Sequence, residues 1–225
     1  MKTLKLYHGS QIIVEKPLFG YGKTYNDYGQ GFYCTEHIEL AKEWACSINQ
    51  DGFVNEYELD MSNLSVLNLS SDEFHILNWL AILLDNRLVN LSSPVSIRAR
   101  KYLLDNFLPD YKKYDVIVGY RADDSYFLFA RSFINNEISL KQLSYAMKLG
   151  KLGEQFCLKS EKAFNQIRFV KAEVVRSSKY HFLKKQRDEK ARSDYIKELE
   201  NDDIDEIYIR DIIREGYKNG DQRLR

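Results

Sequence analysis

Residues 29–45 are the stretch that most limits how this chain can fold. Gly29–Gln30–Gly31 closes a loop already loosened by Gly20 and Gly22, and Phe32–Tyr33–Cys34 then reads as a short extended run. Thr35 stands where a helix N-cap belongs, and Ile38, Ala41, Ala45 and Ile48 follow on one helical face until Asp51–Gly52 stops the run. A strand that passes straight into a helix must find its partners elsewhere in the chain. Two candidates flank it. Leu4–Lys5–Leu6–Tyr7 alternates briefly and delivers His8 into a loop, and residues 53–59 alternate with Phe53, Asn55, Tyr57 and Leu59 on one face. Glu56 and Glu58 share the other face, expected to meet solvent. Residues 20–31 are expected to form a flexible, irregular loop.

The remainder repeats this mixture. Residues 64–69 read as a weak strand. Ser70 with Glu73 has the spacing of a capping box, which predicts a helix to about Val89 with Phe74, Leu77, Leu80, Ala81 and Leu84 as its core stripe. Ser93–Pro94 opens another helix, with proline at the first helical position. Residues 115–119 read as a buried strand and turn, residues 155–158 and 167–175 as strands. Ser139 caps a helix running to about Gly150, and Ser160 caps a short one. From residue 179 the composition turns to dense mixed charge, a solvated helical tail or a partner-binding arm. The expected fold is α+β: a split, mostly antiparallel sheet in a domain over residues 1–178, with a helical insertion at about 70–108, then a charged helical tail over 179–225.

Composition removes several classes of function. The 33 Lys and Arg balance 33 Asp and Glu, so the chain is not built to hold nucleic acid mainly through phosphate contacts, although a local basic groove stays open. The three cysteines, Cys34, Cys46 and Cys157, are irregularly spaced and suggest no disulfide, which fits a reducing, cytoplasmic compartment. His37, His75 and His181 show no metal-ligand spacing, so no metal is expected. No apolar stretch reaches membrane-spanning length, and no membrane partner is expected.

Tyr7–His8–Gly9–Ser10 and the pair Tyr33 and Trp44 together could form a slot for a flat heterocycle with a ribose attached. In order and spacing, three pieces resemble the ADP-ribosyltransferase superfamily, in its diphtheria-toxin and poly(ADP-ribose) polymerase branch, whose triad is His-Tyr-Glu. They are residues 6–10, residues 29–33 continuing to Trp44, and Glu154–Gln155–Phe156. The likeness covers about residues 4–175, apart from the helices between 70 and 108, and is greatest to a bacterial family of unassigned function within the superfamily.

The resemblance implies NAD as substrate, with no metal. His8, Tyr33 and Gln155 would occupy the catalytic positions. His8 would bond ribose hydroxyls, Gly9 would offer backbone groups to the nicotinamide carboxamide, and Tyr33 and Trp44 would flank the ring, with Tyr7, Ser10 and Gly31 beside them. Such stacking contributes about 0.5–1.5 kcal/mol per pair beyond burial. Ala41 stands where the family often has a serine.

The family's glutamate is replaced by Gln155, with Glu154 just before it, and adjacent strand residues face opposite sides. Gln bonds a ribose but brings no negative charge; one lost preorganised contact costs about 3–4 kcal/mol of barrier. The enzyme is then slow, or a carboxylate elsewhere substitutes, or the site binds NAD without consuming it. Asp123 and Asp124 either supply that carboxylate or cap a following helix. Arg121 either pairs with a phosphate or with one of those aspartates. The resemblance implies a macromolecular acceptor, with protein favoured over nucleic acid, and a neutralising antitoxin partner for an enzyme active in its own cell. The alternatives are a binding module with a degenerate pocket and an NAD glycohydrolase.

Overall fold

The computed structural model describes residues 3–91, 93–122, 124–148, 153–200 and 205–224. The strands are β1 (Thr3–Ser10), β2 (Phe32–Cys34), β3 (Gly52–Asp60), β4 (Val66–Asn68), β5 (Val116–Tyr120), β6 (Glu154–Leu158) and β7 (Ile167–Val175). The helices are α1 (Ile38–Ala45), α2 (Ile76–Asn86), α3 (Pro94–Phe107), α4 (Asp124–Ile134), α5 (Leu140–Ala146), α6 (Glu161–Gln166), α7 (Ser177–Leu199) and α8 (Ile209–Arg214).

The strands form two sheets. One has the order β1-β3-β7, antiparallel throughout; the other has the order β2-β6-β5-β4, antiparallel except for the parallel pair β4 and β5. The fold is thus α+β with mostly antiparallel pairing. Among the described residues a single β-bridge joins the sheets. Tyr7 N–H donates to Thr35 C=O at 2.8 Å and Thr35 N–H donates to Tyr7 C=O at 2.9 Å.

That bridge displaces the expected cap of α1. Both backbone groups of Thr35 belong to Tyr7, so the chain is still extended there. His37 takes the N-cap position, and Thr35 Oγ1 accepts from its N–H at 3.2 Å. The helix buries Leu40, Ala41 and Ala45 and ends at Ala45, so Ile48 lies beyond it, 73% exposed. Asn49, with φ of 57°, turns the chain back towards β3.

The capping box expected at Ser70 is also not used. Asn68 holds that turn, accepting from Ser70 N–H through Oδ1 and from the Ser71 hydroxyl through its carbonyl, both at 2.9 Å. The helix starts later, at Ile76, where His75 Nδ1 accepts from Leu77 N–H and Asn78 Oδ1 accepts from His75 N–H. Every residue of α2 from 77 to 84 is buried. It is a core helix rather than an amphipathic one, and it anchors the largest apolar cluster, with Leu103 and Phe107 of α3, Phe129 and Phe133 of α4, and Ile117 and Cys157 of the second sheet. Elsewhere the expected caps stand: Ser93, Ser139 and Ser160 each accept from the N–H three residues on.

The second sheet is covered on both faces. Ile117 turns to the helices, while Val116 and Val118 meet Leu6, Leu59, Phe156 and Leu158 in a cluster between the sheets. This is the period-2 signature of a strand buried on both sides. Glu56, expected to face solvent, is only 8% exposed, because the side chains of Lys5 and Lys171 pair with it at 2.9 and 3.8 Å. The charged helix α7 is likewise not wholly solvated. Ala191 is buried, and the Tyr195 ring lies 4.1 Å from that of Phe129. No described helix is long and apolar enough to cross a membrane.

Candidate functional site

The bridge between the sheets brings the ends of β1 and β2 together, and an open pocket of about 390 Å³ lies there, a size suited to a small ligand. His8, Asn26, Asp27, Tyr33, Trp44 and Gln155 contribute to its lining, together with the cationic side chains of Arg87, Arg121 and Lys184.

His8 Nδ1 lies 2.7 Å from the carbonyl of Tyr33. A carbonyl only accepts, so Nδ1 carries the proton and Nε2 is left as an acceptor. Burial pushes the imidazole pKa below its usual value, against the smaller opposing effect of that hydrogen bond. The ring is neutral at pH 7 and packs 4.5 Å from Phe32. The Tyr33 hydroxyl donates to Gly29 C=O at 2.5 Å and accepts from Tyr28 N–H at 3.1 Å, and burial raises its pKa far above the phenolic range. Its hydroxyl thus serves to fix the ring, which stacks on Tyr28.

Gln155 and Asp27 form the floor. Gln155 Nε2 donates to Asp27 Oδ2 at 2.8 Å and to Tyr120 C=O at 3.2 Å, which turns its Oε1 away from both acceptors. Asp27, 4% exposed, also accepts from Ala122 N–H at 2.8 Å and pairs with Arg87, whose Nη2 lies 2.6 Å from Oδ1. Arg87 is placed in turn by Ala122 C=O and by the Phe127 ring. Glu154, one residue before Gln155, does not line the pocket, as strand alternation requires.

The rim is made by helices and by Arg121, just after β5. Trp44 comes from α1, and the Arg121 guanidinium lies 4.5 Å from its ring centroid. Its neighbour Glu43 pairs with Arg187 of α7 at 2.9 Å, both groups about one-seventh exposed at 14% and 15%. Burial raises the Glu43 pKa, opposed by Arg187 and Arg121.

Of the residues suggested by sequence, His8, Tyr33, Trp44, Arg121 and Gln155 meet at this pocket; Tyr7, Gly9, Ser10 and Gly31 are not among its lining residues. Tyr7 packs against α1, and the Ser10 hydroxyl donates to Ile12 C=O at 2.5 Å. Ala41 is fully buried under β1. A Cβ on Gly9 would stand 1.9 Å from Ala41 C=O, so the glycine lets α1 lie directly on β1. Because Tyr7 turns its backbone groups towards β2, alternation directs those of Gly9 the same way, clear of β3. Gly31 is required by packing too, since a Cβ there would meet Cys157 Sγ at 2.5 Å. Asp123 lies outside the described residues, and Asp124 is the first residue of α4.

Asp27, Arg87 and Lys184 are not marked by any motif. The only signal for Asp27 is an acid and an aromatic set between glycines just before β2. The loop that carries them is not flexible throughout. Asp27, Tyr28 and Gly29 are buried, and Lys159 Nζ clamps the carbonyls of Tyr28 and Gln30 at 2.6 Å each.

No curated protein and no solved structure matches this chain. A family model described as a protein of unknown function, DUF3990, matches residues 4–169, which span β1 to the start of β7 and nearly all of the pocket lining. The chain is therefore a member of the DUF3990 family.

Proposed function

We propose that the chain is an ADP-ribosyltransferase that consumes NAD and passes ADP-ribose to a macromolecule, acting in the cytoplasm with a protein acceptor favoured and an antitoxin-type partner to restrain it. The observation that carries the reading is the convergence of His8, Tyr33, Trp44 and Gln155 on one pocket from three separate sequence segments. Neutral His8 offers Nε2 to a ribose hydroxyl. The fixed Tyr33 ring and Trp44 offer two aromatic surfaces to nicotinamide, and the Gly9 backbone offers a donor and an acceptor to its carboxamide. The bond broken is that between the ribose C1′ and the nicotinamide nitrogen. Its electron pair leaves with neutral nicotinamide, an acceptor nucleophile adds to C1′, and the nucleophile's proton goes to solvent.

Gln155 gains a role from its neighbour. It donates to the Asp27 carboxylate, and so points Oε1 at the ribose while Asp27 supplies negative charge one bond behind. Arg87 offsets much of that charge, so stabilisation of the cationic transition state is weaker than a direct carboxylate would give, and turnover is slow. The same saturation of Asp27 favours, as a second reading, a module that binds NAD without cleaving it.

Incubation with NAD labelled on the adenylate, in cell extract, separates these. Label transferred to protein or nucleic acid, and lost in both His8→Ala and Tyr33→Ala, is the expected result. Free ADP-ribose without labelled macromolecule selects a glycohydrolase. NAD left intact but bound selects the binding module and sinks the transferase reading.

A further inference from the structure

We infer that α7 is part of the ligand site, and that Lys184 holds an anionic phosphate group of the ligand at the pocket rim. The inference rests on the reading of the pocket as a dinucleotide site and adds the element that recognises its diphosphate. The helix lies wholly beyond residue 169, outside the part of the chain that the family model matches.

Contacts along its length fix α7 against the body. At its start, Asp51 accepts from Ser177 N–H at 2.8 Å and pairs with Arg176 at 2.6 Å. In the middle, Arg187 pairs with Glu43 at 2.9 Å. Further on, Tyr195 packs on Phe129. Lys184 is three residues before Arg187, so both are on one helical face. Glu43 and Trp44 are adjacent on α1. The contact that seats Arg187 on Glu43 therefore brings Lys184 over the pocket that Trp44 lines.

The charges call for an anion there. The chain has a formal net charge of zero, yet the described lining carries three cationic side chains, Arg87, Arg121 and Lys184, against one carboxylate, Asp27. Arg87 is already neutralised by Asp27. Neighbouring cations of α7 are also paired, Lys185 with Glu189 at 3.7 Å and Arg187 with Glu43. Among the described residues Lys184 makes no ion pair within 4 Å; its charge acts on the Glu43 carboxylate, whose close partner is Arg187. A lysine ammonium is a mobile point charge suited to a phosphate whose position it need not dictate.

Titration calorimetry on the full chain tests this with NAD, with nicotinamide riboside, which has no phosphate, and with inorganic diphosphate. Lys184→Gln is expected to weaken NAD about tenfold, the loss of one charge-assisted bond, and to flatten its salt dependence. Nicotinamide riboside should bind both proteins alike, and Lys184→Arg should restore NAD binding. Equal NAD affinity in wild type and Lys184→Gln overturns the inference while the dinucleotide reading stands. A parallel loss of nicotinamide riboside also overturns it, because the effect is then not on phosphate. If the wild type binds no NAD, the dinucleotide reading falls and inorganic diphosphate decides. Binding that depends on Lys184 keeps the anion subsite, and no such binding removes it.

Discussion

The floor and the rim of the pocket are built on opposite plans. On the floor, Asp27 is held by Arg87, Ala122 and Gln155 at 2.6–2.8 Å, and Tyr33 and His8 have their polar atoms directed by backbone groups. At the rim, Trp44 Nε1 and Nε of Arg187 are buried without a hydrogen-bond partner among the described residues, and Arg187 pairs with Glu43 through Nη1 and with Asp188 through Nη2 at 3.6 Å. The floor is a closed network in which each member fixes another; the rim rests on packing and charge. A pocket arranged so keeps its inner end preorganised and leaves its outer end adaptable.

Substitutions on the floor should therefore cost stability, and those at the rim should cost binding. The largest effect is expected from Asp27→Ala, which strands Arg87, the Ala122 N–H and the Gln155 amide in a buried place. A loss of about 3–5 kcal/mol by urea denaturation is expected. A loss below about 1 kcal/mol would show that Asp27 is not the centre of the floor. Next comes Gln155→Glu. A glutamate there sets an acceptor against Asp27 and Tyr120 C=O, at a cost of about 1–3 kcal/mol, and adding Asp27→Asn should recover part of it by restoring a donor. If Gln155→Glu is as stable as the wild type and turns over faster, the two residues are not coupled.

The third effect depends on pH. The His8 pKa is lowered in the folded state, so the unfolded chain takes up its proton first. Stability should then fall as pH drops through about 6.5, with a slope no steeper than about 1.4 kcal/mol per unit. Thermal melts from pH 8 to 5 should show a flatter slope in His8→Gln, and identical slopes would mean that His8 is not the buried group that titrates. The smallest effect is on the rim. Lys184→Gln should change stability by no more than about 0.5 kcal/mol, and a larger drop in its urea midpoint would place Lys184 in the structural network.

What the sequence conveys follows from the range of the interactions involved. Strand alternation in β1 and β3, the apolar run of β5 and the serine caps of α3, α5 and α6 are local, and they are legible. His8, Tyr33, Trp44 and Gln155 stand out because each lies in a short motif. The start of α2 was obscured because Ser70 and Asn68 compete for the same turn, and only the packed structure shows Asn68 to hold it. Glu56 reads as solvent-facing because alternation says nothing about two lysines folding over it. Asp27 lay hidden for a related reason: an aspartate in a glycine-rich loop looks like a turn residue until its distant partners are in place. The charged run of α7 conceals its buried Tyr180, Ala191 and Tyr195 because so few apolar positions do not register as a stripe.

The three partners of Asp27 lie 60, 95 and 128 residues further along the chain. None of these contacts is local, and each closes a long loop before it gains anything. During synthesis the floor cannot assemble until residue 155 has emerged, nor the rim until residue 187. A nascent chain thus carries His8 and Tyr33 before Gln155 and Arg187 are there to complete the pocket around them.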